Sequence, residues 1–387
     1  MKNKITNAQS QKRNSTDNLN RSKLKKLLNI RNLIILLLIF VISISGFLYW
    51  FINNKFDQIN KVNNLTSLVA MPSNPSAPFN ILIVGSDSRA FVKSKSQIKL
   101  YGTPPKDVKP VADTIMIARI NPVTDQITIL SIPRDTYVTV ADNRGVDRIG
   151  DVFHYGPNLL ISTIEQDFNI PINHYIQADF SGLVSFFGKL GTIKLDFRYK
   201  IKDTYTNFNV SKLGCQALSG IQVLELARSR HLYYLNNQGN WIYDTMSDWS
   251  RIRRQQVILE AIFESIKSQI TNPFSIDQIV NGLTSNFSID SNFNVGELID
   301  MAYHYRNVSL NNIHFLVLPT TDFGRYGTTL FVAEPYANST LNKLYNDSSN
   351  SDLKSIFKTT LGEVVPFNEV IFDNSSTSPE PWNPILC

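Results

Sequence analysis

The sequence predicts an α/β protein: a three-layer α-β-α domain with a mixed central sheet, preceded by a single transmembrane helix. Three observations predict it. An uncharged run of twenty residues occupies 33–52. From Phe79 onward, short apolar runs of strand length alternate with longer segments of helical pattern, and such alternation builds layered α/β domains. Two of the apolar runs, TIMIARI at 114–120 and QITILSI at 126–132, are joined by the turn sequence NPVTD, which predicts a β-hairpin.

Residues 1–32 come first. They carry nine basic residues against one acid, Asp17, among Asn, Ser and Gln, a composition that does not bury a core and reads as a disordered tail. The run LIILLLIFVISISGFLYWFI occupies 33–52. As a helix it is ~30 Å long, the thickness of a bilayer's hydrocarbon core. Tyr49, Trp50 and Phe51 stand at its far end, where amphipathic rings favour the headgroup region. A buried core helix and a cleaved signal peptide are the alternatives. The run is long for a signal peptide and no small-x-small site comes after it, so it reads as an uncleaved anchor. Basic flanks stay in the cytoplasm, which puts the tail inside and everything from about residue 53 outside a plasma membrane.

That topology changes the meaning of the charge. The chain carries +6 with an isoelectric point near 9.1, but the tail alone carries +8, leaving −2 for the remainder. The outside part is therefore no basic nucleic-acid binder. The chain's hydrophobic fraction of 43%, with 23 Phe and 15 Tyr, fits a folded body.

Residues 53–78 read as a linker ending in the proline-rich MPSNPSAPF. The folded domain is expected over 79–365. FNILIVGSDSR opens it as a buried strand breaking into a loop at Gly85, and 90–112 reads as a surface excursion. After the hairpin, helices are expected at 157–168, 179–190, 219–230, 251–270, 295–306 and 335–347, and strands at 172–177, 192–198 and 313–318. The tail 366–387, rich in Ser, Pro and Asn, is expected to be loose. Cys215 and Cys387 could pair outside the cytoplasm, and nothing in the sequence decides it.

No GxSxG, HExxH, P-loop or GxGxxG motif is present, and the five histidines form no recognisable cluster. Arginine and aspartate at element ends are the features that remain. Asp87 and Arg89 come after the first strand in GSDSR, Asp113 precedes the second, and Arg134 and Asp135 come after the third in SIPRD. Loops beyond strand ends are where α/β folds build ligand sites. Each charge alone reads equally well as a solvated surface group; three clusters at three successive strand ends point to a site. Arg228 and Arg230 end the helix LSGIQVLELARSR, where cations also simply complement the helix dipole. In SDWSRIRRQQ, Ser250 or Asp248 can cap a helix whose first turn puts Arg251, Arg254 and Gln255 on one face. Arginines there oppose the dipole, so an anion should compensate them. Amide N–H groups and forked guanidiniums together make a phosphate cradle. Two aspartates beside it suggest a divalent cation, Mg2+ or Mn2+, and phosphoryl transfer.

In this order, NILIVGSDSR, ADTIMIARI, QITILSIPRDTYV, DRIGDVFHYG, LSGIQVLELARSR and SDWSRIRRQQ resemble the LytR–CpsA–Psr family of envelope phosphotransferases over about residues 80–256. The resemblance implies transfer of a glycan polymer from a polyprenyl-pyrophosphate carrier onto peptidoglycan or another envelope acceptor, at a membrane, without nucleic acid. Carried over, Asp87 and Asp113 would hold Mg2+, one of them also helping to deprotonate the acceptor hydroxyl. Arg89, Arg134, Arg228, Arg230, Arg251 and Gln255 would grip the pyrophosphate, and Asp87, Asp113, Arg134 and Arg251 form the implied catalytic set. Arg254 also matches, with a structural role as its alternative. The Phe-rich segment DFSGLVSFFGKL would help form a groove for the polyprenyl tail, with plain core packing as its alternative. Two departures stand out: Val111 sits where the family often has an arginine, and the aromatic stretch 231–250 is longer than usual. Hydrolysis of the carrier, or carrier binding without turnover, are the alternative readings. A transcriptional role, implied by older family names, finds no helix-turn-helix pattern here.

Overall fold

The computed structural model describes residues 59–86, 109–269, 287–294, 308–322, 330–332 and 381–387, with isolated residues between and before them. Contacts divide the chain into two units, Met1–Asp57 and Gln58–Cys387, and the second holds the sheets and helices described below. No helix among the described residues is long and apolar enough to cross a membrane. Most of the run at 33–52, Asp87, Arg89 and most of the segments 295–306 and 335–347 lie outside them.

In chain order the strands begin with β1 (Asn60–Val62), β2 (Phe79–Ser86), β3 (Ala112–Asn121), β4 (Gln126–Ile132), β5 (Tyr137–Thr139), β6 (Val146–Arg148) and β7 (His174–Asp179). They continue with β8 (Ile193–Phe197), β9 (Ile201–Asp203), β10 (Phe208–Val210), β11 (Gly214–Leu218), β12 (Tyr233–Leu235) and β13 (Trp241–Tyr243). The last are β14 (Phe287–Asp290), β15 (Ile313–Val317), β16 (Thr320–Asp322), β17 (Leu330–Val332) and β18 (Ile385–Leu386). The longer helices are α1 (Pro157–Phe168), α2 (Phe180–Leu190), α3 (Gly220–Arg228) and α4 (Ser247–Gln269). The central sheet has seven strands in the order β1-β14-β7-β2-β3-β4-β15. Its pairs β7–β2 and β4–β15 are parallel, and β2–β3 and β3–β4 antiparallel. It is therefore a mixed sheet.

The middle strands are apolar on both faces because both are covered. Leu82, Val84, Ile115, Ile117, Leu130 and Ile132 pack towards α1, against Leu160, Ile164 and Phe168. The alternate residues, Ile81, Met116, Ala118, Ile120 and Ile129, pack on the other side with Leu259 of α4. A strand's side chains alternate between faces, so near-continuous apolar runs mark strands buried from both sides. A second core joins α2, α3 and α4 to β8, β9 and β10, centred on Phe197, Phe208, Leu195 and Val223.

Helix α3 starts at Ser219 with a capping box: the Gln222 amide and the Ser219 side chain meet, and the Gln222 side chain reciprocates. Gly220 lets it lie close on α2, since a Cβ there would come within 2.6 Å of the Val184 carbonyl oxygen.

Three expectations are corrected. Residues 59–78, read as linker, already belong to the fold. β1 pairs with β14, Leu65 and Leu68 pack on the main core, and the Val69 amide donates to the Ile172 carbonyl at 2.8 Å. Helix α4 begins at Ser247 rather than 251, because Asp244 nucleates it earlier: its Oδ1 accepts from the Met246 amide at 3.0 Å and the Ser250 hydroxyl at 3.1 Å. The tail, expected to be loose, is docked at 381–387. There β18 pairs with β8, Trp382 stacks on Tyr234 at 4.4 Å, and Cys387 is bonded to Cys215.

The docked tail also reaches a buried charge. Arg254 is 0% exposed. Its guanidinium donates to Asn383 Oδ1 at 2.7 Å, to the Ser229 carbonyl at 2.7 Å and to Asp244 Oδ2 at 3.3 Å. Taking a guanidinium out of water is tolerable only with such a counter-charge and acceptors.

This packing sets two stability outcomes. Arg254→Met should destabilise the domain by about 3–5 kcal/mol, since it strands the buried Asp244 carboxylate; a urea midpoint within error of wild type would refute this. Replacing Cys215 and Cys387 together by Ser opens a crosslink spanning 172 residues, with an expected loss of about 2–4 kcal/mol, read as a lower midpoint that reductant no longer changes.

Candidate functional site

The site forms at one end of the central sheet, where β3 begins and β4 ends. Asp113 is the second residue of β3. After β4 the chain turns at Pro133, whose carbonyl accepts from the Thr136 amide at 3.0 Å and hydroxyl at 2.6 Å. The turn presents Arg134 and Asp135 at the strand end. Pairing of β5 with β6 then returns the chain to Arg148 and a helical turn at Ile149–Val152. That turn is held against the Arg134 loop by the Gly150 amide, which donates to the Arg134 carbonyl at 2.8 Å. Only glycine fits at 150, since a Cβ would lie 2.9 Å from the Ala112 carbonyl oxygen and 3.0 Å from that of Arg134.

Four guanidiniums and four carboxylates interlock here. Arg134 Nη1 bonds Asp113 Oδ1, and its Nε lies 3.7 Å from Asp135. Arg230, just beyond α3, lies 2.9 Å from Asp135 through Nη2 and 2.9 Å from Asp248 through Nε. Arg251 Nη2 is 2.8 Å from Asp248 and donates to the Asp113 backbone carbonyl at 3.1 Å. Arg148 lies 3.6 Å from Asp135 and 2.5 Å from Asp151. Arg251 forms the floor, its side chain 4% exposed, while Arg134 and Arg230 are 25% and 24% exposed and open to solvent.

Burial works to lower the pKa of Arg134, but Asp113, Asp135 and Asp248 outweigh it and hold the guanidinium above its ordinary value. For Arg251 burial prevails; Asp248 and Asp113 oppose it, Arg230 and Arg134 reinforce it, and its pKa falls. Guanidiniums stay charged at any physiological pH, so the shifts record the balance at each arginine: carboxylates outweigh burial at Arg134, and burial outweighs them at Arg251. The buried Nε atoms of Arg134 and Arg251 have no hydrogen-bond acceptor among the described residues.

The structure thus brings together Asp113, Arg134, Arg230 and Arg251 from four elements. Arg254 and Gln255 are engaged elsewhere: Arg254 with Asp244, Ser229 and Asn383, and Gln255 Nε2 with the Ala227 carbonyl at 2.9 Å. Both tie α4 to the end of α3. Arg228 closes α3, two residues before Arg230. Asp87 and Arg89 lie outside the described residues.

The earlier start of α4 also alters the helix-dipole argument. Arg251 sits in the second turn, and Asp248 occupies the first, where a carboxylate is favourable. Sequence reasoning does not single out Asp248 as a site residue, nor Arg148, Asp151 and Gly150, although DRIGD is one of the blocks that carries the resemblance. A glycine flanked by opposite charges is the available signal. No group of three or more His, Cys, Asp or Glu able to hold a metal occurs among the described residues. Asp113 can offer a single carboxylate.

Known proteins resemble this chain in sequence and in fold. The sequence model of the LytR_cpsA_psr family matches residues 49–346. The polyisoprenyl-teichoic acid–peptidoglycan teichoic acid transferase TagU of Enterococcus faecalis is 25% identical over 276 residues, 71% of this chain and 81% of that protein. Among solved structures, the LytR-Csp2A-Psr enzyme from Actinomyces oris superposes with a TM-score of 0.58 at 22% identity, covering 73% of this chain and 95% of that one. TagT bound to LI-WTA superposes at 0.52 and 18%, covering 73% and 94%. These structures share the mixed α/β fold. A family match over most of the length, on a chain whose motifs converge at one sheet end, has one reading: the protein belongs to the LytR_cpsA_psr family.

Proposed function

We propose that this chain is a membrane-anchored phosphotransferase that moves a glycan polymer from a polyprenyl-pyrophosphate carrier onto peptidoglycan or another envelope acceptor. One observation carries the reading: Arg134, Arg230 and Arg251, far apart in sequence, meet around Asp113 and Asp135, with buried guanidinium N–H groups lacking acceptors among the described residues. Phosphate oxygens are the complementary partner for such forks. The name of the Enterococcus faecalis relative, a polyisoprenyl-linked teichoic acid to peptidoglycan transferase, supports the same chemistry. The uncharged run 33–52 supports the anchor.

In this reading Arg134 and Arg230 exchange their aspartate contacts for pyrophosphate oxygens, while Arg251 holds the lower side of the group. The four arginines and four aspartates balance, so the site holds an anion by trading partners rather than by a standing excess of positive charge. The trade frees Asp113. An acceptor hydroxyl then bonds to the phosphorus nearest the glycan, and the bridging P–O bond breaks. Its electron pair leaves with polyprenyl phosphate, and the hydroxyl proton passes to an aspartate. Arg254 and Gln255 act as positioning residues, fixing the end of α3 at Arg228 and the loop that carries Arg230. Arg89 and Asp87 would join from the loop after β2.

A divalent cation, Mg2+ or Mn2+, suits the donor set. Such an ion takes one or two carboxylates and completes its shell with phosphate oxygens and water, and Asp113 and Asp87 would supply those carboxylates. When bound, it neutralises charge on the leaving phosphate.

The test is incubation of the full chain with a polyprenyl-pyrophosphate glycan, Mg2+ and peptidoglycan, then identification of the linked product. Free glycan phosphate without linked product would instead mean hydrolysis. Arg134→Ala or Asp113→Ala should cut transfer by about 10²–10³-fold while the protein remains folded with a cooperative denaturation profile; wild-type turnover in either variant removes that residue from the mechanism. Chelation of divalent ions should stop transfer and Mg2+ should restore it, so transfer that persists in chelator would refute the cation's role.

A further inference from the structure

The ionic network can grip a charged carrier, but it offers little to an uncharged sugar hydroxyl. Under the transferase reading, the acceptor must draw its affinity from another surface. One adjoins the site. Within the stretch 231–250, residues 233–243 fold into the hairpin β12–β13, which adds to β9 and β10 as a four-stranded antiparallel sheet ordered β10-β9-β12-β13. Its register sorts the side chains. On the inner face Ile201, Phe208 and Val210 are buried in the second core, and Tyr234 stacks on Trp382. The pairs Tyr233↔Tyr243, Leu235↔Trp241, Tyr233↔Lys202 and Asn209↔Lys202 put those six residues on the opposite, outer face.

That face is aromatic and open. Trp241 and Tyr243 are 39% and 38% exposed. Tyr233 and Tyr243 lie with ring centroids 5.2 Å apart, and Lys202 Nζ sits 4.0 Å from the Trp241 centroid. Exposed aromatic clusters of this kind mark interaction surfaces. The hairpin is also fixed to the site. Arg230 lies three residues before β12, the Asp244 amide donates to the Leu232 carbonyl at 2.8 Å, and the Ser247 hydroxyl donates to the Arg230 carbonyl at 3.1 Å. At the reaction end, Tyr205, 76% exposed, stacks on His231 beside Arg230 at 4.2 Å.

We propose that the outer face of this sheet binds the acceptor glycan strand, its rings stacking on pyranose faces and its amides and Lys202 meeting sugar hydroxyls. Flat rings in a row match the flat, ribbon-like faces of a β-linked N-acetylhexosamine chain. A bilayer is the other partner that aromatic faces attract, and the hairpin tip argues against it. Asn236, Asn237, Gln238, Gly239 and Asn240 are all polar or bare. Their turn is locked by Asn236 Oδ1, which accepts from the Gln238 and Asn240 amides at 3.0 and 2.9 Å. Such a tip does not enter hydrocarbon, but it can hydrogen-bond saccharides.

The test uses the full chain in detergent with Trp241→Ala and Tyr243→Ala combined. Sedimentation with polymer-stripped peptidoglycan should show about tenfold weaker binding. The KM for peptidoglycan should rise by a similar factor, with kcat and the KM for carrier unchanged. Unaltered peptidoglycan affinity overturns the proposal. A second measurement uses the tryptophan fluorescence that Trp241→Phe removes. Peptidoglycan glycan strands should quench it, and nitroxide-labelled lipid in proteoliposomes should not. The reverse pattern assigns the face to the bilayer and overturns the proposal. A wild-type protein that binds peptidoglycan through this face yet transfers nothing sinks the transferase reading alone and leaves the binding surface standing.

Discussion

A guanidinium buried in a protein must bring its counter-charge with it, and that constraint arranges this molecule. Arg251 and Arg254 lie one turn apart on α4, both almost wholly out of water. Each drags a different set of elements into place. Arg254 draws in Asp244, the Ser229 carbonyl and Asn383, and so fixes the chain between α3 and α4. Arg251 draws in Asp248 and the backbone of β3. The first half of α4 is thus a polar wedge driven between the sheet end and the second core, which accounts for its burying Asp248, Ser250, Arg251, Arg254 and Gln256 together. Gln256 completes the wedge by donating to Ser131 and to the Leu316 carbonyl, both at 3.1 Å.

Around Arg251 the charges interlock in a chain, Asp113 to Arg134 to Asp135 to Arg230 to Asp248, so that most groups serve two partners. A carboxylate shared by two guanidiniums is a poorer acceptor for either than a private one. Their geometry is already set by the sheet end, the Gly150 contact and α4. In the proposed reaction an incoming dianion would therefore meet donors that are oriented beforehand, the condition under which fixed dipoles stabilise developing charge.

Much of this is legible in the sequence. The middle of the sheet announces itself because β2, β3 and β4 are apolar on both faces, and the hairpin because of its turn. Asp113, Arg134, Arg230 and Arg251 are legible because charge at successive element ends is hard to explain otherwise. The features that escape such reading depend on contacts far apart in the chain. Nothing near Asp244 says that it starts α4, since it lies inside an aromatic stretch that reads as loop. Nothing in the 381–387 composition reveals that Asn383 meets a residue 129 positions earlier. Short strands such as β9, β10, β12 and β13 have three residues each, too few for periodicity to register. Arg254 and Gln255 share a face with Arg251 on a helix wheel, yet tertiary partners turn them to structural work.

The tie between Asn383 and Arg254 has a consequence for the order of assembly. Two of the three acceptors of Arg254, Asp244 and the Ser229 carbonyl, lie nearby in sequence, whereas Asn383 lies 129 positions away. Local folding can therefore form the corner between α3 and α4, but only docking of the 381–387 segment completes the acceptor set of its buried guanidinium. A chain with that segment undocked would keep the cluster of Asp113, Arg134, Arg230 and Arg251 and hold the Arg230 loop less firmly, so a remote strand pairing stiffens the site from behind.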